Sequence, residues 1–120
     1  MSFVQTLGHT LLASMFISGG SSTFINPDGR ATKVEQAGIP LARQAVIVNG
    51  ATMVVAGTAL AVGFLPKLAA LALLGTLIPT TVVGHPYWQE TTPQGRAGQQ
   101  IHFNKNVAMI GGLLLVLLEK

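Results

Sequence analysis

The sequence predicts an all-α fold, an integral membrane four-helix bundle, and three observations predict it. Hydrophobic residues make up 49% of the chain and charged residues only 9%, against about 25% charged in a soluble domain. Seven basic and four acidic side chains are too few to give a soluble fold of 120 residues a polar surface, so much of that surface faces lipid. The apolar residues fall in four continuous segments without the alternation of barrel strands. A bilayer offers the backbone no hydrogen-bond partners and admits only helices or closed barrels. The length suits one domain, 1–120.

The first segment, about 3–20, is FVQTLGHTLLASMFISGG. A secretory signal needs basic residues before its apolar core, whereas the first basic residue here is Arg30, well after it. The segment is therefore expected to stay as a membrane helix. Residues 21–41 form a polar connection. Asn26-Pro27-Asp28-Gly29 reads as a turn, and Arg30 to Ala37 can form two helical turns before Gly38 and Pro40 stop them.

The second and third segments are expected over about 42–64 and 67–84. Pro66 and Lys67 separate them, because proline disfavours helix in the residue before it and lysine marks a water boundary. The result is an antiparallel hairpin. Pro79, inside the third helix, removes a backbone donor and clashes with the carbonyl of Gly75; Thr80 and Thr81 can satisfy freed groups. This is a structural kink or one that opens a pocket near His85. Residues 85–100 are polar again, with Tyr87 and Trp88 placed as interfacial aromatics.

The fourth segment is about 101–118. Its apolar run from Val107 to Leu118 spans only about 18 Å, short of a bilayer core of about 30 Å. The helix must therefore continue back through Asn104, Lys105 and Asn106, or the bilayer must thin. Lys105 then lies near the membrane edge, snorkelling or paired, with Glu90 as a plausible partner.

Several residue types carry chemistry. His85, Trp88 and Lys105 are expected at one membrane face, since the end of helix three sits beside the start of helix four. They are the candidate polar pocket, and Arg96 could share it. His85 is open to two readings, a polar interface residue or a group that binds a ligand. His9 lies inside the first segment and needs a polar partner; His102 starts the fourth helix. No pair of histidines has metal-ligand spacing, so no metal is expected. The chain has no cysteine and offers no thiol chemistry. Asn49, Gly57 and Ala61 share a face of helix two, where Gly57 and Ala61 form a small-xxx-small pair for helix packing. Gly111 and Gly112 are expected to do the same on helix four.

Basic residues are scattered, which excludes a nucleic-acid patch. Loops one and three hold Arg30, Lys33, Arg43, Arg96 and Lys105, while the other side holds Lys67 and Lys120. Five against two places loops one and three in the cytoplasm and both termini outside.

Taken together, these landmarks resemble the DoxX family, and its actinobacterial members most. NGATMVVAGTALAVGFLPKLAALALL, with Gly57, Leu60, Gly63 and Lys67, resembles the family's second and third helices. IPTTVVGHPYWQE resembles its His-x-[FY]-W signature, HFNKNVAMIGGLLLVL its closing helix, and FISGG fits its first helix. Many members carry a glutamate four residues before the glycine matching Gly57; here that position is Met53. The resemblance implies a redox-linked bacterial membrane subunit. The family name comes from a subunit of a thiosulfate:quinone oxidoreductase, and mycobacterial relatives are described as membrane partners of superoxide dismutase and a sulfurtransferase.

The expected role is a non-catalytic anchor or accessory subunit of a redox, respiratory or oxidative-stress complex in the plasma membrane. Its partners would be the lipid bilayer and other membrane or membrane-associated redox proteins, or further copies of itself. The alternatives are a quinone-interacting subunit, with quinone as the possible cofactor, and a small transporter or lipid-binding bundle. No catalytic residue is assigned.

Overall fold

The computed structural model describes residues 2–119; Lys120, counted in the charge balance above, lies outside them. Five α-helices follow one another: α1 (Phe3–Ile25), α2 (Asp28–Gln36), α3 (Ala42–Val62), α4 (Pro66–Gly84) and α5 (Pro93–Leu117), with a 3-10 turn at Tyr87–Gln89 between the last two. No strand occurs among the described residues.

The helix ends differ from expectation where polar residues carry helix signals. Ser2 caps α1 and forms a capping box with Gln5. The helix then runs past Gly20 to Ile25, because the hydroxyls in it return to its own carbonyls. Thr23 Oγ1 donates to Gly19 O at 2.8 Å, so this hydroxyl does not compete with the helix. The helix α5 begins at Pro93, eight residues before the expected start. Thr92 accepts from the Gly95 N–H at 3.0 Å and Pro93 fills the first helical position, a favourable helix start. Its first turns are polar and project beyond the apolar layer. The helix does continue back through Asn104 to Asn106, as its short apolar run requires.

A tight turn at Gly63 joins α3 to α4. Gly63 adopts φ 77°, and the Phe64 N–H donates to Ala59 O at 2.8 Å, a Schellman-type ending that favours glycine. The helix α3 packs on α1 at one side and α4 at the other, and α4 packs on α5. The short α2 lies across one end, against α3 and α4. Phe16, Leu60, Leu73 and Leu113, one from each long helix, are fully buried at the centre.

The tightest contact joins α1 and α3. A side chain at Gly20 would begin 2.7 Å from Gly50 O, and one at Gly50 would begin 3.0 Å from Gly20 O. One heptad away, Gly57 meets Ile17 and Phe16, with Ala13 O at 3.5 Å. Ala13 and Gly20 on α1 thus face Gly57 and Gly50 on the antiparallel α3, a seam of small residues that lets backbones approach. The outer faces, by contrast, are apolar: Val55 is 71% and Leu115 67% exposed. So broad an apolar exterior suits lipid and not water. Two helical stretches, Ala42–Val62 and Pro66–Gln89, are both long and apolar enough to cross a membrane. The helices α1 and α5 have the length, 23 and 25 residues, but carry more polar side chains.

Candidate functional site

The antiparallel arrangement puts the C-terminal ends of α1 and α4 beside the N-terminal ends of α3 and α5. At this end the helices diverge around a cavity of about 560 Å³, within the usual range for small-molecule sites of about 300–1,000 Å³. Its inner wall is apolar, with Phe16, Met53, Leu77 and Met109. Pro79 lies in the α4 wall. Thr76, Thr80 and Thr81 donate to carbonyls of their own helix at 2.7–2.8 Å around Pro79. Asn49 crosses from α3 and donates to Thr80 Oγ1 at 3.0 Å, with Met53 Sδ at 3.7 Å. The inner wall therefore carries one polar bridge between α3 and α4.

The mouth is cationic. Arg30 and Lys33 reach it from α2, His85 from the end of α4 and Lys105 from the middle of α5. Lys33 Nζ donates to Gly84 O at 2.9 Å, which holds α2 on the last turn of α4 and satisfies a carbonyl left free there. His85 donates from Nδ1 to Gln99 Oε1 at 2.7 Å, and its ring stacks on His102 with centroids 5.0 Å apart. Among the described residues, no aspartate or glutamate lines the cavity.

The structure thus brings His85 and Lys105 to one cavity and leaves Trp88 out of it. Trp88 packs edge-on against Tyr87 and Phe103 at 5.3 and 5.7 Å and is 46% exposed, the placement of an aromatic at an interface. Glu90 does not pair with Lys105; its carboxylate lies over Gly95 at the start of α5. Arg96 stays exposed in the first turn of α5. Among the packing residues, Gly57 is buried against α1, Ala61 is half-buried against the core, and Gly112 meets Leu12 of α1. Gly111, expected at a close helix approach, has open space around it, because it lies on the outer face of α5.

The histidines do not converge. His85 and His102 stack at the cavity end, while His9 is buried near the other end, where its Nε2–H donates to the Glu119 carboxylate at 2.9 and 2.8 Å. No three His, Asp or Glu side chains gather as metal ligands among the described residues.

Sequence reasoning missed Arg30 and Lys33 as cavity residues. Their three-residue spacing on a short helix places them on one face, but nothing local says that this helix folds over the bundle end. It also missed Gly20 and Gly50, although the seven-residue spacings Ala13 to Gly20 and Gly50 to Gly57 were a usable signal.

Fold and site together define a helical membrane protein with a cationic-mouthed cavity inside the bundle. The chain belongs to the DoxX family, whose model matches residues 5–86, from the first turn of α1 to the residue after His85. It is similar to the inner membrane protein YphA of Escherichia coli (strain K12), 28% identical over 102 residues, which cover 85% of this chain and 72% of that protein. No solved structure matches it.

Proposed function

We propose that this DoxX protein is a multi-pass subunit of the bacterial inner membrane that holds an amphiphilic molecule inside its bundle and itself performs no chemistry. The observation that carries this reading is the cavity, with a largely apolar inner wall and cationic groups gathered at its mouth. That distribution matches a molecule with a polar head and an apolar body. A quinone is one such molecule, its carbonyl oxygens accepting from donors such as Lys105; a membrane lipid is another. The reactive partner would be a separate redox protein, making this chain an accessory subunit. The apolar exterior suits an anchor.

The test is gentle purification from native membranes followed by solvent extraction and mass spectrometry. One amphiphile enriched to about one equivalent per chain, above its share of bulk lipid, is expected. A bundle carrying only the bulk lipid mixture would remove the binding reading. A stoichiometric second protein in the same preparation supports the accessory role, and a homogeneous single-chain species would remove it.

Four spans with both termini outside place the cationic mouth at the cytoplasmic face, following the excess of Lys and Arg in loops one and three. The chain has no cysteine, so single cysteines report cleanly. Thr91→Cys should label from the cytoplasm and Lys67→Cys from the outside. Labelling of both from the same side would remove the four-span arrangement.

A further inference from the structure

We infer that the cavity selects a single-chain amphiphile with an anionic head, a carboxylate or a phosphate, gripped by Lys33, Lys105 and Arg30. This deepens the binding reading above and rests on it. Three observations lead there.

The first is charge. Arg30, Lys33 and Lys105 line the same mouth from two different helices, and among the described residues no acidic one lines it with them. Among the described residues none of the three forms a salt bridge; the two ion pairs present are His9–Glu119 and Arg43–Asp28. Lys105 is half-buried in α5, where a charge is costly unless paired or hydrated, and like charges gathered at one cleft focus a positive potential into it. An anion at the mouth removes both costs. A neutral head removes neither.

The second is an uncommitted polar group deeper in the cavity. Asn106, one helical residue beyond Lys105, is 4% exposed and lines the cavity. No hydrogen bond to its side-chain amide is found among the described residues, so the amide is open to the cavity, while Asn49 across it is already bonded to Thr80. Its NH₂ group can donate to a head oxygen held by Lys105, which orients the head toward α5.

The third is the shape of the apolar part. Below the cations the lining is formed by Phe16, Met53, Leu77 and Met109. Methionine adapts to a flexible chain better than to a rigid ring. A charged head at the mouth with one chain running inward satisfies every group named here.

The test uses the full-length protein in nonionic detergent and native mass spectrometry with three probes of equal chain length: hexadecanoate, the corresponding lysophosphatidate, and monohexadecanoylglycerol. Both anions are expected to bind more tightly than the glyceride, the better one by about tenfold or more, as charge-assisted hydrogen bonds imply. Tighter hexadecanoate assigns the head to a free carboxylate, and tighter lysophosphatidate to a lipid phosphate. Lys33→Gln/Lys105→Gln should lose most of the preference for the anion, and Lys33→Arg/Lys105→Arg should keep it, with helical content unchanged in both. If the glyceride or a short-chain ubiquinone binds as tightly as the anions, or the glutamine variant keeps the preference, the anionic head is wrong and the cavity reading survives. If no probe binds, both fail.

Discussion

Gly20→Leu is expected to prevent assembly of the bundle. The first atom of any side chain at this position lies 2.7 Å from Gly50 O and 2.8 Å from Met53 Cβ, and the obstacle is another helix's backbone. A flexible side chain can swing away, but a carbonyl fixed in α3 cannot. Overpacking within a core costs about 1–3 kcal/mol, and a backbone clash at a seam that holds α1 to α3 should exceed that range. Membrane helices associate by close packing, without hydrophobic force between them, so loss of the seam removes most of what holds α1. Size-exclusion profiles and thermal unfolding in detergent would measure it. Gly57→Leu should act in the same direction but less severely, because its nearest neighbours are the side chains of Ile17 and Phe16 at 3.1 and 3.3 Å. Gly111→Leu and Val55→Leu serve as controls, since Gly111 has open space around it and Val55 faces outward. A well-folded, monodisperse Gly20→Leu protein would refute the seam.

The second large effect is expected at the opposite end. His9 is 3% exposed, and its Nε2–H donates to Glu119, which ties the first helix to the end of the last. Between α1 and α5 there is little other contact. Glu119→Ala leaves a buried imidazole with neither ring nitrogen bonded, because His9 Nδ1 already has no partner. The expected loss is about 2–4 kcal/mol, between the worth of a hydrogen bond to a charged group and the cost of splitting a buried pair. His9→Leu should also destabilise the protein by leaving Glu119 unpaired. The double substitution His9→Leu/Glu119→Leu should be milder than the sum of the two, since replacing both partners by apolar groups avoids a stranded polar atom. Additive effects in thermal unfolding would show that the pair does not act as a unit.

Much of the architecture was legible because it follows from one-dimensional signals. Continuous apolar runs, the Pro66 break and the scarcity of charge each bear on helix number and on the lipid-facing exterior. The α3–α4 hairpin needed no tertiary information. Helix ends were less legible where polar residues extend a helix: the start of α5 at Thr92-Pro93 is a local signal outweighed by the polar stretch that follows it. The site was half legible. His85 closes α4 and the sequence places Lys105 at the start of the next helix; α5 in fact begins twelve residues before Lys105, at Pro93, and Lys105 reaches the cavity from its middle. Trp88 has the same sequence logic, yet the 3-10 turn after Pro86 points it outward against Phe103. Arg30 and Lys33 reach the cavity only because α2 folds over the bundle end, and the pairing of His9 with Glu119 spans 110 positions; no local pattern encodes either.

The short link at Gly63 has a consequence for biogenesis. It joins the two stretches that are apolar enough to enter a bilayer on composition alone, Ala42–Val62 and Pro66–Gln89. Such a hairpin can partition into the membrane as a unit, each half carrying its own favourable transfer free energy. The helices α1 and α5 lack that margin. One depends on the glycine seam with α3, the other on packing against α4 and on the Glu119 link to His9. In a four-span arrangement the order of membrane integration then differs from the order of synthesis: the middle of the chain commits first, and the outer helices are retained by docking onto it. Damage to the seam would therefore surface first as failed retention of the N-terminal helix, seen by protease or glycosylation reporters during translation.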